Sequence, residues 1–162
     1  MVVLAVLLSA PVAWGHGEPL VPSALTDNDT DDFNPQVSRG RVVWEGVDPD
    51  PNENDLEIFL YDGDEILQLT QNATDDINPQ ISGQRVVWQG IDPNQGDWEV
   101  FLYNQTGIWQ LSSNDTDDAN PQVFGHNVVW QGIDAQGNWE IYFYDGMETS
   151  AVTDNSFDDV AP

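Results

Sequence analysis

Residues 25–44 read LTDNDTDDFNPQVSRGRVVW, and the chain writes this stretch twice more, as LTQNATDDINPQISGQRVVW at 69–88 and LSSNDTDDANPQVFGHNVVW at 111–130. Asn34, Asn78 and Asn120 of the shared Asn-Pro-Gln triplet lie 44 and 42 residues apart, and a fourth, partial copy, VTDNSFDDVAP, puts Pro162 41 residues after Pro121. A period of about 40 to 50 residues is that of a four-stranded propeller blade. The units are read as blades at 34–70, 78–112 and 120–153. A lead-in at 16–33 carrying an extra strand precedes them, and a partial repeat at 154–162 follows.

Within one period the strand signals are short and evenly spaced. In the second copy, residues 78–82 read as the innermost strand, Gly83 and Gln84 as a turn, and 85–90 as the second strand. The third strand falls at 98–103 and the outermost at 108–111. Asp92, Pro93 and Gly96 punctuate the intervening loop by side-chain capping, fixed φ and access to positive φ. The runs EIFLY, EVFLY and EIYFY are apolar at nearly every position. Strands of that kind have both faces covered, as they do when blades stack face to face. The expected fold class is all-β, three tandem four-stranded blades of propeller type with almost no helix.

These residues resemble the TolB-type propeller repeats, relatives of the WD-repeat blade. The likeness covers roughly 25–162. It is carried by Leu-Thr before each blade (Leu25-Thr26, Leu69-Thr70), Asp-x-x-Pro at the start of the innermost strand (Asp32 to Pro35, Asp76 to Pro79, Asp118 to Pro121), Ser82-Gly83, the Val-Val-Trp strand and a Gly-x-x-Glu strand ending in Tyr. The family's Ser-Pro-Asp-Gly turn is shortened here, and complete members carry more blades. The resemblance implies six blades for a closed ring, the number a dimer of this chain would supply.

Composition narrows the function classes. Twenty-nine acidic residues stand against Arg39, Arg41 and Arg85, with no lysine, for a net charge of -26. Nucleic-acid backbones need clustered Lys and Arg, so nucleic acid is excluded as an expected partner, and anionic membranes are disfavoured likewise. Such a surface attracts cations and suits a saline or calcium-containing setting. There is no cysteine, hence no disulfide, thiolate metal site or thiol nucleophile. The segment MVVLAVLLSAPVAWG at 1–15 places Ala13 and Gly15 at signal-peptidase spacing after an apolar run too short to span a bilayer. It reads either as a cleaved export signal or as a retained apolar strand, and the expected location is extracellular.

Three blades do not close a ring, and closure is what removes exposed sheet edges and faces. Either the sequence belongs to a longer protein or copies associate head to tail, as a ring or as a filament. The N-terminal residues, 23–28 or the apolar 2–8, are expected to add as a strand to a blade of a neighbouring copy.

Several residues are candidate ligands. The pairs Asp31-Asp32, Asp75-Asp76 and Asp117-Asp118, with Asp158-Asp159 in the partial copy, recur in register. Radial repetition would bring their oxygens together for Ca²⁺; alternatively one Asp caps the turn before Asn-Pro and the other is solvated. The loop containing Asp48, Asp50 and Asn52 alternates oxygens as a calcium loop does, without the Gly and Glu of an EF-hand. Asn28, Asn72, Asn104 and Asn114 head glycosylation sequons that equally suit turns. Trp44, Trp88 and Trp130 share a packing position, as do Trp98 and Trp139. Trp109 breaks register and is the candidate platform for stacking a ligand, such as a glycan. His16 and His126 are the only histidines. Acids repeated in every blade look architectural rather than like one acid/base pair, so no enzymatic activity is expected. The reading is a secreted, non-catalytic structural or assembly protein. Its alternative is a ligand-binding propeller module, lectin-like or calcium-binding.

Overall fold

The computed structural model describes residues 23–50 and 53–162. The export segment, the 2–8 strand, His16 and Asn52 lie outside the described residues. The described residues form three four-stranded antiparallel sheets and no helix. Blade 1 is β1 (Asp32–Ser38), β2 (Arg41–Val47), β3 (Leu56–Tyr61) and β4 (Ile66–Gln68). Blade 2 is β5 (Asp76–Ser82), β6 (Arg85–Ile91), β7 (Trp98–Tyr103) and β8 (Ile108–Gln110). Blade 3 is β9 (Asp118–Phe124), β10 (Asn127–Ile133), β11 (Trp139–Tyr144) and β12 (Thr149–Ala151). Strands run in sequence order across each sheet, the connectivity of a propeller blade.

Each innermost strand carries a bulge at its Asn-Pro step, where the register shifts, as between Ile77 and Gln80. Asn34, Asn78 and Asn120 there adopt φ of 49°, 55° and 55°, a left-handed conformation that asparagine tolerates better than most residues. The strand expected at 23–28 does not form. Leu25 and Thr26 match Leu69 and Thr70, which lie just beyond β4; Leu69 donates its N–H to Ile58 at 2.7 Å inside its own blade. Among the described residues the same segment before blade 1 pairs with no strand.

The core lies between blades. One cluster joins Val43, Ile58 and Leu60 of blade 1 to Val86 and Trp88 of blade 2, with Ile81, Phe101 and Tyr103 at its border. The next joins Val87, Val100 and Leu102 of blade 2 to Val128 and Trp130 of blade 3, bordered by Val123, Tyr142 and Tyr144. Period-2 alternation thus divides each Val-Val-Trp strand: the first Val and the Trp face the preceding blade, the second Val the following one. Among the described residues no further blade covers either outer face, although Trp44 on the blade 1 face is itself buried. Val37, the counterpart of Ile81, is 73% exposed, and Val129, Ile141 and Phe143, counterparts of fully buried residues in blade 1, are all partly exposed.

Candidate functional site

The repeated polar residues build the joints between and within blades. The second Asp of each pair turns inward: Oδ1 of Asp32, Asp76 and Asp118 accepts from Nε1 of Trp44, Trp88 and Trp130 at 2.9, 2.8 and 2.6 Å. Oδ2 of Asp76 and Asp118 accepts from Nδ2 of Asn72 and Asn114 at 2.6 and 2.5 Å. The indole stacks on an aromatic ring of the third strand, Trp88 on Phe101 with centroids 5.9 Å apart. Burial raises the carboxyl pKa of Asp76 and Asp118, against the lowering effect of these hydrogen bonds. Gly46, Gly90 and Gly132 exist for this contact, since a Cβ at Gly46 would lie 2.7 Å from Asp32 Oδ1 and those at Gly90 and Gly132 would overlap Asp76 and Asp118.

The first Asp of the pair reaches back to the preceding blade. Oδ1 of Asp75 and Asp117 accepts from the N–H of Leu56 and Trp98 at 3.0 and 3.1 Å. Two further links join the same blades. Glu45 Oε2 accepts from Asn78 N–H at 2.7 Å and Gln89 Oε1 from Asn120 N–H at 3.0 Å. Ser38 Oγ and Ser82 Oγ accept from the N–H of Gly83 and Gly125 at 2.9 and 3.0 Å. The C-terminal partial repeat begins the pattern once more on blade 3: Asp158 Oδ1 accepts from Trp139 N–H at 3.0 Å, and Gln131 Oε1 from Ala161 N–H, also at 3.0 Å. Ala161 holds φ of 61°, the bulge conformation, without an asparagine. Phe124 stands where Ser38 and Ser82 stand, and it is 86% exposed.

The paired aspartates expected as calcium ligands take part in separate joints, and among the described residues no group of three His, Asp or Glu side chains is gathered. In the longer loop, buried Asp48 accepts from Asp50 N–H at 2.6 Å through Oδ1 and from Gln68 Nε2 at 2.9 Å through Oδ2. Asp50 follows in this turn; Asn52 is outside the described residues.

Two sets of acids take roles that the sequence did not show, although Asp55 and Glu57 close the loop that begins at Asp48. Glu57 and Glu99 are fully buried on the third strands. Their Oε1 atoms accept from the N–H of Asn72 and Asn114 at 2.7 and 2.8 Å, and Glu99 also accepts from Ser112 Oγ. Burial pushes both pKa values up to about 7, outweighing those hydrogen bonds. Asp55 and Asp97, one residue before the third strands, have buried carboxylate oxygens with no hydrogen-bond partner. The Asp-x-Glu spacing they share with Glu57 and Glu99 was the available signal, hidden within strands that otherwise read as apolar.

Among the sequon residues, Asn72 and Asn114 accept from the N–H of Thr74 and Thr116 at 2.8 and 2.7 Å. Their amide nitrogens, the glycan-bearing atoms, are already donating to Asp76 and Asp118. Asn104 forms the same turn with Thr106 N–H at 3.1 Å, and Asn28 is exposed in the lead-in. Trp109 sits on outermost strand β8, 45% exposed.

No protein-family model and no curated protein matches the chain in sequence. Solved structures match it in shape. The β-propeller domain of the Trilobed protease from Pyrococcus furiosus, described as having an open velcro topology, aligns with a TM-score of 0.59 at 18% identity, over 70% of this chain and 36% of that one. The Pyrococcus horikoshii acylaminoacyl peptidase aligns with a TM-score of 0.59 at 16% identity, over 72% of this chain and 18% of that one. TolB from Acinetobacter baumannii aligns with a TM-score of 0.54 at 12% identity, over 75% and 31%. The chain therefore spans at most 36% of the length of these structures. Likeness at such identities is a likeness of fold, and in fold the chain is a run of three TolB-like β-propeller repeats.

Proposed function

We propose that the chain is a secreted, non-catalytic assembly module whose open blade faces are covered by further copies joined head to tail. One observation carries the proposal: the outer faces of blades 1 and 3 bear the two halves of a joint the chain already makes twice, and both halves include apolar residues left exposed or partly exposed. Val43, Ile58 and Leu60 pack fully buried against Val86 and Trp88. Their counterparts Val129, Ile141 and Phe143 on blade 3 are partly exposed, and on the opposite face of the stack Val37 of blade 1 is 73% exposed. A heterologous contact of this kind gives a ring if the rotation closes and a filament if it does not. The apolar run before Ala13 and Gly15 supports export. The half-exposed Trp109 favours a second reading, a glycan-binding module, since an aromatic face outside the core is a stacking surface. Electron microscopy of the purified chain without added sugar separates them. Assembly gives rings or fibrils that grow with protein concentration, whereas a uniform monomer that binds glycans through Trp109 overturns it.

A further inference from the structure

The three arginines of this chain, two on the first hairpin of blade 1 and one on that of blade 2, converge on one cavity of about 710 Å³ at the hairpin end of the sheets. Arg39 lies in the turn between β1 and β2, Arg41 opens β2, Arg85 opens β6, and His126 lines the same cavity from the turn between β9 and β10. In a protein of net charge -26, cations placed at random would each meet a carboxylate. Here Arg41 donates Nε to the backbone oxygen of Asp62 at 3.3 Å, and its Nη1 is buried with no hydrogen-bond partner. The carboxylate of Asp62, also in the wall, is engaged by its own turn, accepting from the N–H of Asp64 and Glu65 at 2.9 and 3.1 Å. Among the described residues no group hydrogen-bonds the buried Nη1 of Arg41.

Arg39 adds an independent observation. The matching hairpins of blades 2 and 3 place Gly83 and Gly125 in the left-handed region, at φ of 62° and 63°; blade 1 places Arg39 there, at φ of 52°. A side chain at such a position is strained, and strain of this kind gathers at functional sites. A Cβ built on Gly83 would lie 4.0 Å from Arg39 Nη1, so the guanidinium reaches across the neighbouring turn into the cavity. The backbone of blade 1 is thus held where glycine fits best, with an arginine delivered beside Arg41 and Arg85.

We propose that this cavity binds a carboxylate ligand, clamped by Arg39, Arg41 and Arg85. The planar guanidinium fork matches the two carboxylate oxygens in bidentate geometry. Salt at about 0.15 M screens charges beyond about 8 Å, so the cavity's own residues set the local field despite the acidic surface.

Calorimetric titration of the full chain with succinate, with a DNDTDD peptide copied from residues 27–32 and with inorganic phosphate, each against chloride at matched ionic strength, tests this. The decisive variant is Arg39→Gly, which restores the residue type of the other two hairpins and so keeps the fold, its unliganded melting temperature equal to or above that of the parent. Saturable binding of succinate or the peptide, weakened at least tenfold by Arg39→Gly and by Arg85→Gln, supports the proposal. Binding of the peptide alone identifies an acidic segment of a second copy as the source, and binding of succinate a free carboxylate. Heats no larger than those of chloride, binding unchanged in both variants, or phosphate binding as tight as the carboxylates' would overturn it.

Discussion

At the scale of single residues, the stability of the chain hangs on acids held away from water. Glu57 and Glu99 titrate near 7 in the folded protein, against an ordinary value of 4.5, because burial disfavours their charged form. Between those values the folded state holds protons that the unfolded chain has released. The stabilisation is therefore complete below about 4.5 and is lost as pH rises through about 7. Asp76 and Asp118, also raised by burial, act in the same direction. Backbone hydrogen bonds lower Asp62, Asp92, Asp134 and Asp145, so their contribution is present above the ordinary aspartate range and fades in stronger acid. The melting temperature at constant ionic strength is predicted to fall from about pH 5 to about pH 8, with a shallower slope in the double variant Glu57→Gln/Glu99→Gln; a flat or rising profile would count against this account. The glycine beside each buried Asp is equally exacting. Gly90→Ala drives a methyl into Asp76 and is predicted to cost about 1 to 3 kcal/mol or more in denaturant unfolding. An unchanged midpoint would mean that the Asp76–Trp88 pair moves aside freely.

At the scale of strands and joints, the hydrophobic pattern was enough to locate the blades. The third strand expected at 98–103 is β7 at the same bounds, and the outermost strands differ from expectation by a residue or two. What stayed hidden were long-range polar links, because a sequence shows that Asp75, Asn78 and Ser82 recur but not that they bond to a neighbouring blade. The Asp pairs illustrate this: adjacent in sequence, they point to opposite sides of the strand, one into its own blade and one back to the last. Residues 23–28 pair with no strand of their own chain among the described residues, whereas each three-residue outer strand lies on the third strand of its blade. Gln89 gives the test of these links. Gln89→Ala removes the acceptor for the N–H of Asn120 and for Nδ2 of Asn78, with a predicted loss of about 1 to 3 kcal/mol and faster amide exchange at Asn120. Gln89→Glu retains both acceptor roles, as Glu45 does in blade 1, and is predicted to keep the slow exchange. Equal exchange in the parent and Gln89→Ala would show that the side chain does not hold the joint.

At the scale of the whole molecule, three blades stack through two buried clusters and end in two faces of complementary kind, with Val37 exposed on one and Val129, Ile141 and Phe143 partly exposed on the other. Repeat proteins behave as one-dimensional stacks in which each unit is stabilised by its neighbours, so uncapped ends favour addition of further units. The partial repeat sharpens the expectation. Asp158 and Ala161 take on blade 3 the positions that Asp31 and Asn34 of an incoming blade would occupy, so shortening the chain by residues 158–162 is predicted to tighten self-association. Sedimentation velocity of two face variants, alone and mixed, tests head-to-tail assembly most directly. Val37→Glu blocks the face before blade 1 and Phe143→Glu the face after blade 3, and both residues are exposed enough to change without emptying a core. The account predicts that each variant alone is a monomer at concentrations where the parent assembles. It predicts that an equal mixture forms a dimer and nothing larger, because it retains one intact pair of faces. Variants that each still assemble as the parent does, or a mixture that stays monomeric, would contradict it.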